Sequence, residues 1–345
     1  MKSLAIKYRP KHFSEVVEQD AIKKILCFQL ETESMKNCYL MVGAAGTGKT
    51  TCARIFANDL NKNKGSPIEI DGASNNGVEN VRDIIDNAKF KSLDSEYKIY
   101  IIDECHQLSI GAWNAMLKLI EEPPEKTIFI FCTTDPQKIP ATILSRVQRY
   151  DFQRISFNGI VNRLIEILDY ENLTVDVQGA FQYEIEAIHY IAKLADGGLR
   201  DAITLLDKCI SYSTVLSVEN ITTALGITNY DVMFELLTHL LNVDELRVIA
   251  CIESIYNSGV DLKAFIKQFI YFIVDINKYE ITQGFDYINI SSSYKEYLDN
   301  IVELNTFTNI LSLLDLIIKL NADIKWENQP KAIIEATFML WCNNL

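Results

Sequence analysis

Residues 38–60 read CYLMVGAAGTGKTTCARIFANDL, and this stretch decides the fold. Five apolar residues, Cys38–Val42, have the pattern of a buried strand, and the run Thr51–Leu60 is helix-like. Between them GAAGTGKT, Gly43–Thr50, has the spacing of a Walker A phosphate loop. Each residue type answers a demand of polyphosphate. Gly43, Gly46 and Gly48 permit the backbone angles that turn the N–H groups of Gly43, Ala44, Ala45, Gly46, Thr47 and Gly48 into one anion nest. Lys49 supplies a mobile charge and Thr50 a hydroxyl for magnesium, while Thr51 opens a helix whose N-terminus is itself positive. A plain glycine-rich turn would account for the glycines, but not for the full eight-residue pattern with both flanks.

A site of this kind also needs a metal ligand and a group that orients water. KIYIIDE, Lys98–Glu104, is a buried-strand pattern ending in two adjacent carboxylates. Asp103 is the expected magnesium ligand, and Glu104 the residue that polarises the attacking water. Acidic residues at a strand end are often turn-formers; the loop upstream decides for chemistry, and the sequence predicts an NTP hydrolase.

The chain has 345 residues, enough for two or three domains with cores, and 48% of it is apolar. No apolar run reaches the ~18 residues of a membrane span, and MKSLAIKYRPKHF has no signal-peptide core, so a cytosolic protein without a membrane partner is expected. The eight cysteines never form CxxC and sit mostly in apolar runs, as reduced core residues do. Net charge is −13, yet residues 1–154 carry 21 Lys and Arg against 20 Asp and Glu. The acid lies in residues 155–345, with 12 against 26, which leaves the first part free to offer phosphates a local positive path.

Strand and helix patterns alternate through the first part: a short strand at Ile68–Ile70, and a helix with Val78, Val81, Ile84, Ile85 and Ala88 on one face. After the Asp103 strand comes a helix with Ala112, Trp113, Met116, Leu117 and Ile120, then the buried strand TIFIFCTT ending at Thr134. The class is α/β, a parallel sheet covered by helices with ligands at the strand C-termini. Beyond residue 155 helical periodicity takes over, in Ile160–Leu168, Ile185–Leu194 and Arg200–Ile210, with a Gly197–Gly198 break. From about Thr228 further amphipathic helices follow; Ile310, Leu313, Leu314, Ile317 and Ile318 form one stripe, Pro330 starts a helix, and only Gln283–Ser293 is loop-like.

Four long strings carry a family resemblance: IEIDGASNNGVENVRDI (68–84), YKIYIIDECHQLSIGAWNAMLKLIEEPPE (97–125), TTDPQKIPATILSRVQR (133–149) and GGLRDAITLLD (197–207). They resemble the bacterial DNA polymerase III gamma/tau subunits, the ATPase motor of the sliding-clamp loader in the AAA+ class. The resemblance implies an AAA+ base domain over 1–154, a helical lid over 155–226 and a helical collar over 227–345. It implies ATP and Mg²⁺ as ligands, and as partners the other subunits of a homo- or hetero-pentamer, the sliding clamp and primer-template DNA held without sequence preference.

Residue by residue, Tyr8, Arg9 and Pro10, with Val16 and Val17, match the arm that packs around adenine, and Thr134 matches sensor 1 at a strand end. Arg146, in a Ser-Arg pair, matches the arginine that reaches into a neighbour's ATP site, where its charged planar fork grips phosphate. Arg200 matches sensor 2; positive charge at a helix start opposes the helix dipole, which itself suggests an anionic partner. Ser74–Arg82 and Leu108–Gly111 match the DNA-tracking stretches, and Phe90–Leu93 the clamp-facing tip.

The chain also departs from the family. NKNKGSP, Asn61–Pro67, stands where a four-cysteine zinc module is common, so no zinc is expected. Cys105 and Gln107 replace valine and methionine after Glu104, and Val147 replaces cysteine after Arg146. The sequence given ends at Leu345, without the longer form's tail, a compact design that fits a phage or a streamlined bacterium and a cytoplasmic site of action. Two alternatives share the nucleotide motifs: a hydrolysis-poor structural clamp-loader subunit, and another AAA+ DNA machine such as a branch-migration helicase.

Overall fold

Strands built on continuous apolar runs fold only where both faces are covered, and the computed structural model has that arrangement. It describes residues 3–92, 94–172, 180–226, 229–285, 287–290, 292–304 and 307–343; Leu93, Thr228 and Leu345, named above, lie outside the described residues. The chain forms two compact units, one of residues up to Phe181 with Ile191–Ile210, the other of Gln182–Tyr190 with Ser211 onward.

In the first unit the order is α1 (Leu4–Lys7), α2 (Asp20–Glu31), β1 (Cys38–Val42), α3 (Lys49–Leu60), β2 (Ile68–Asp71), α4 (Val78–Ala88) and β3 (Lys98–Asp103). Next come α5 (Ile110–Glu121), β4 (Thr127–Thr133), α6 (Ala141–Leu144), β5 (Gln148–Asp151) and α7 (Phe157–Asn172). The five strands make one parallel sheet in the order β2-β3-β4-β1-β5. Alternation along each strand feeds two cores. Leu40, Tyr100, Ile102, Phe129 and Phe131 face α4 and α5, packing on Val81, Trp113 and Met116. Tyr39, Met41, Ile99, Ile101, Ile128 and Ile130 face α2 and α3, packing on Leu26, Ile55 and Phe56. The ends of β1, β4 and β3 therefore lie side by side, which places the phosphate loop, Thr134 and Asp103–Glu104 along one edge of the sheet.

The residues after β5 continue through β6 (Gln182–Tyr183), α8 (Ile185–Leu194), α9 (Leu199–Tyr212), β7 (Val215–Leu216) and α10 (Val218–Leu225). Then follow α11 (Tyr230–Leu241), α12 (Glu245–Asn257), α13 (Leu262–Thr282), α14 (Lys295–Leu304), α15 (Phe307–Asp323) and α16 (Pro330–Asn343). In the second unit one core gathers Phe234, Leu237, Ile252, Phe265, Phe269, Ile273, Leu313, Ile317 and Phe338. Capping side chains start its helices: Asp244 accepts from Arg247 N at 3.2 Å and Asp261 from Lys263 N at 2.9 Å. Ile310, Leu313 and Ile317 of the expected stripe are buried, whereas Ile318 is 49% exposed and stands off it. A helix turns 3.6 residues per cycle, so adjacent Ile317 and Ile318 cannot both face inward on a narrow stripe. No helix among the described residues is long and apolar enough to cross a membrane.

Candidate nucleotide-binding site

The loop between β1 and α3 is shaped by close approaches that only glycine permits. Gly48 has φ +102° and Gly46 φ +71°, and a Cβ on Gly46 would lie 3.1 Å from Cα of Gly198 and 3.3 Å from the backbone nitrogen of Arg200. The phosphate loop thus meets the start of α9, and the positive ends of α3 and α9 share one cleft. Lys49 is 6% exposed, and its ammonium donates to the carbonyls of Gly43 and Ala44, both at 2.8 Å. Burial pushes its pKa below the usual lysine value, against the opposing pull of Cys132, Glu104 and Asp103. A polyphosphate would favour the charged form of such a lysine.

Asp103, at the end of β3, accepts a hydrogen bond from the Thr50 hydroxyl at 2.8 Å. A hydroxyl and a carboxylate side by side are hard oxygen donors, a set that suits Mg²⁺ with substrate phosphate and water completing its shell. Glu104 sits one residue further on in a left-handed conformation, φ +44°, unusual for a residue with a Cβ and common where function holds a side chain in place. Its Oε2 accepts from the Thr134 hydroxyl at 3.1 Å and lies 3.2 Å from Nδ1 of His106. Cys105, between them, is fully buried, and burial raises its thiol pKa far out of reactive range.

The N-terminal arm closes the other side. Leu4 N donates to Asp207 of α9 at 3.1 Å, Arg163 of α7 donates to the carbonyl of Tyr8 at 3.3 Å, and Lys23 donates to the carbonyl of Val16 at 3.0 Å. The result is an open cleft. Tyr8, Arg9, Pro10, Val16 and Val17 line it together with Gly46, Thr47, Gly48, Lys49, Thr50, Thr51 and Arg200. Gly43, Ala44 and Ala45 form the start of the loop behind it, and Thr134, Asp103 and Glu104 cluster at the neighbouring strand ends.

Arg146 is not brought to this cleft. It follows α6, is 39% exposed, and bonds to Glu121 at 2.7 Å and to the carbonyl of Thr142 at 2.7 Å. The two expected DNA-tracking stretches do meet: Ser109 N donates to the Asn76 carbonyl at 3.1 Å, and a Cβ on Gly111 would touch Val78. Phe90 is 70% exposed.

Sequence reasoning missed several contacts at and around the site. Arg163 and the apolar Ile155, Leu199 and Ile203 also line the cleft, and a lone cation between Ile160 and Leu164 on the buried side of α7 was the available signal for the first. The bond between Arg146 and Glu121 had no signal, because it joins residues 25 apart. The cysteines, by contrast, are as expected: seven of the eight are buried and none is disulfide-bonded. In the second unit Glu235, His239 and Cys251 place one ligand atom each within 4.8 Å of one another, a grouping their spacing did not suggest.

A parallel sheet in this order, with a phosphate loop after β1, paired acids after β3 and a polar residue after β4, defines a P-loop ATPase of the AAA+ class. Solved structures agree on the fold: RuvB of Thermotoga maritima, described as a Holliday junction branch migration motor, superposes with a TM-score of 0.52 at 20% identity over 68% of this chain and 79% of that one. Three family profiles match in succession: DNA polymerase III delta subunit over residues 64–156, DNA polymerase III clamp loader subunit ATPase lid domain over 159–215, and DNA polymerase III subunits gamma and tau domain III over 216–341. DNA polymerase III subunit gamma of Buchnera aphidicola subsp. Baizongia pistaciae is 33% identical, over 89% of this chain and 87% of its own length. DNA polymerase III subunit tau of Bacillus subtilis is 36% identical over 97% of this chain, which spans 62% of that relative's length. The chain belongs to the DNA polymerase III gamma/tau family of clamp-loader ATPase subunits.

Proposed function

We propose that this chain is the motor subunit of a clamp loader, which binds ATP in the cleft between the arm, the phosphate loop and α9, and hydrolyses it with help from a neighbouring protomer. The observation that carries this reading is the division of the site: Lys49, Thr50 and Arg200 line the cleft, Asp103 bonded to Thr50 and Glu104 bonded to Thr134 stand at the strand ends beside it, and Arg146 is held outside it on the surface. Tyr8, Arg9, Pro10 and Val17 would take the adenine side. Lys49 and the loop amides would hold the outer phosphates, with Arg200 meeting them from α9. Thr50 and Asp103 would hold Mg²⁺, which neutralises charge on the phosphate oxygens.

Glu104 would orient a water toward the terminal phosphorus and take its proton as the new P–O bond forms and the bond to ADP breaks. Thr134 donates to the same carboxylate, and its hydroxyl would meet phosphate or water. Arg146 of one protomer would neutralise the developing charge in the next, which makes a solitary protomer a poor catalyst.

In this reading residues 1–154 are the nucleotide-binding base, 155–226 the lid and 227–345 the collar that assembles a homo- or hetero-pentamer. Phe90, at an exposed tip, would meet the sliding clamp, and the joined stretches Ser74–Arg82 and Leu108–Gly111 would track the phosphates of primer-template DNA. The protein would act in the cytoplasm, and its chemistry calls on ATP and Mg²⁺ without zinc.

The test is ATP turnover by the assembled complex with and without clamp and primed DNA. Stimulation by both supports the motor. Binding of ATP without turnover would make the chain a structural subunit instead, and stimulation by branched DNA alone would make it a branch-migration machine.

A further inference from the structure

The short turn Cys105–Gln107, directly after the water-orienting carboxylate, contains an imidazole that the reading above does not use. The side chain of His106 is 8% exposed. Its Nδ1 lies 3.2 Å from Glu104 Oε2 and 3.2 Å from the Thr133 hydroxyl, which already accepts from Asp135 N at 3.0 Å. Its Nε2 lies 3.0 Å from the side-chain amide nitrogen of Gln107.

These contacts favour one place for the ring proton. With the Gln107 amide nitrogen turned to the ring, that nitrogen donates and Nε2 is the acceptor. A neutral imidazole then carries its one proton on Nδ1, the nitrogen that faces a carboxylate oxygen and would otherwise set lone pair against negative charge. Glu104 Oε2 thereby receives two donors, His106 Nδ1–H and the Thr134 hydroxyl at 3.1 Å. Two donors on Oε2 restrict rotation of the carboxylate and would leave Oε1 as the oxygen offered to the water.

We propose that Gln107 and His106 form a positioning relay: the Gln107 amide selects the Nδ1–H tautomer of His106, and that N–H orients the Glu104 carboxylate for water activation. Gln107 is one of the positions at which this chain departs from the family pattern, standing in place of methionine, so the relay's outer half is a property of this chain. The inference rests on Glu104 as the water-orienting residue.

The experiment has two arms, both on full-length protein. In the first, the four histidines are labelled with nitrogen-15 and the ring shifts of His106, assigned by its absence in His106→Asn, report the tautomer directly. The relay requires Nδ1–H in the natural sequence and a mixture with Nε2–H in Gln107→Met, a side chain of similar size without a donor. An Nε2–H ring or an imidazolium in the natural sequence overturns it, as does an unchanged ring in Gln107→Met.

In the second arm, ATP affinity and kcat are measured in the assembled complex. His106→Leu should lower kcat about tenfold, the scale of one hydrogen bond to a charged group, with the Kd for ATP unchanged. His106→Asn, which returns an amide donor near the place of Nδ1, should recover most of that loss. Gln107→Met should lower kcat about threefold alone and not at all in the His106→Leu background, since coupled residues are not additive. A His106→Leu protein with weaker ATP binding and unchanged kcat would mark a merely structural histidine and sink the proposal. If the natural complex showed no turnover, the functional reading would fail while the ring tautomer still judged the relay.

Discussion

The sheet-bearing unit and the all-helical unit use burial differently. In the first, two apolar layers cover the faces of one sheet, and polar side chains gather where the strands stop: Asp103, Glu104, Thr133 and Thr134 lie within a few residues of fully buried Ile102 and Phe131. In the second, apolar side chains from six helices fill one core, and the few buried polar groups, such as Asp275 and Asn277, serve local bonds: Asp275 accepts from Asn289 N at 2.7 Å and Asn277 donates to the Ile273 carbonyl at 2.9 Å. A parallel sheet supplies a rigid row of strand ends on which reacting groups can be fixed; a helical bundle supplies shape and surface. Substitutions at the first should therefore change chemistry without changing folding, and those in the second the reverse.

The sharpest way to break this contrast is Lys49→Ala. It should abolish ATP binding by calorimetry, and a melting temperature close to the parent's would keep the loss on the side of chemistry. Arg146→Ala comes next. Stimulated turnover should fall about a thousandfold or more while ATP affinity stays near the parent value, and full activity in the assembled complex would remove the arginine from catalysis. In the helical unit, Phe269→Ala deletes a fully buried ring among Phe265, Phe272 and Phe338 and should cost about 3–5 kcal/mol in denaturant unfolding, with ATP affinity of the surviving folded protein unchanged. Back in the sheet-bearing unit but outside the row of strand ends, Ser109→Ala removes the α5 cap that accepts from Ala112 N and should cost about 1 kcal/mol, the smallest of these folding effects.

The buried ammonium sharpens the contrast through pH. Lys49 is held below its ordinary pKa, so between the folded and unfolded values the unfolded chain binds the extra proton, and stability rises with pH through that alkaline window. Phosphate binding has the opposite sign: an anion raises the pKa again, and ATP should bind with proton uptake there. Titrations in two buffers of different ionisation heat should show it, and no uptake would mean that the lysine stays remote from the phosphates.

The difference between the units also governs how much could be read from residues alone. β1, β3 and β4 were legible because burial on both faces leaves a continuous apolar run, and the loop and paired acids were legible because their chemistry needs fixed residue types at fixed spacing. β5, reading QRYD, was missed: only Tyr150 is buried there, and an edge strand is held by backbone pairing to β1 more than by side chains. α2 was missed as well, since its buried residues, Ile22, Leu26 and Gln29, include a polar one. At the site, Arg163 and His106 escaped notice because their meaning depends on what lies across space from them. Glu104's left-handed backbone was equally invisible, for no residue type announces it.

The ion pair between Arg146 and Glu121 has a consequence for how activity scales. Both side chains are well exposed, so the bond between them is weak, on the order of 0–1 kcal/mol, and easily exchanged for a stronger anion. If Arg146 acts in a neighbour's site as proposed, a molecule in dilute solution would keep this guanidinium paired with Glu121, and assembly would release it to the next protomer. Specific activity should accordingly climb with protein concentration until assembly saturates, so that the rate per molecule becomes a measure of company.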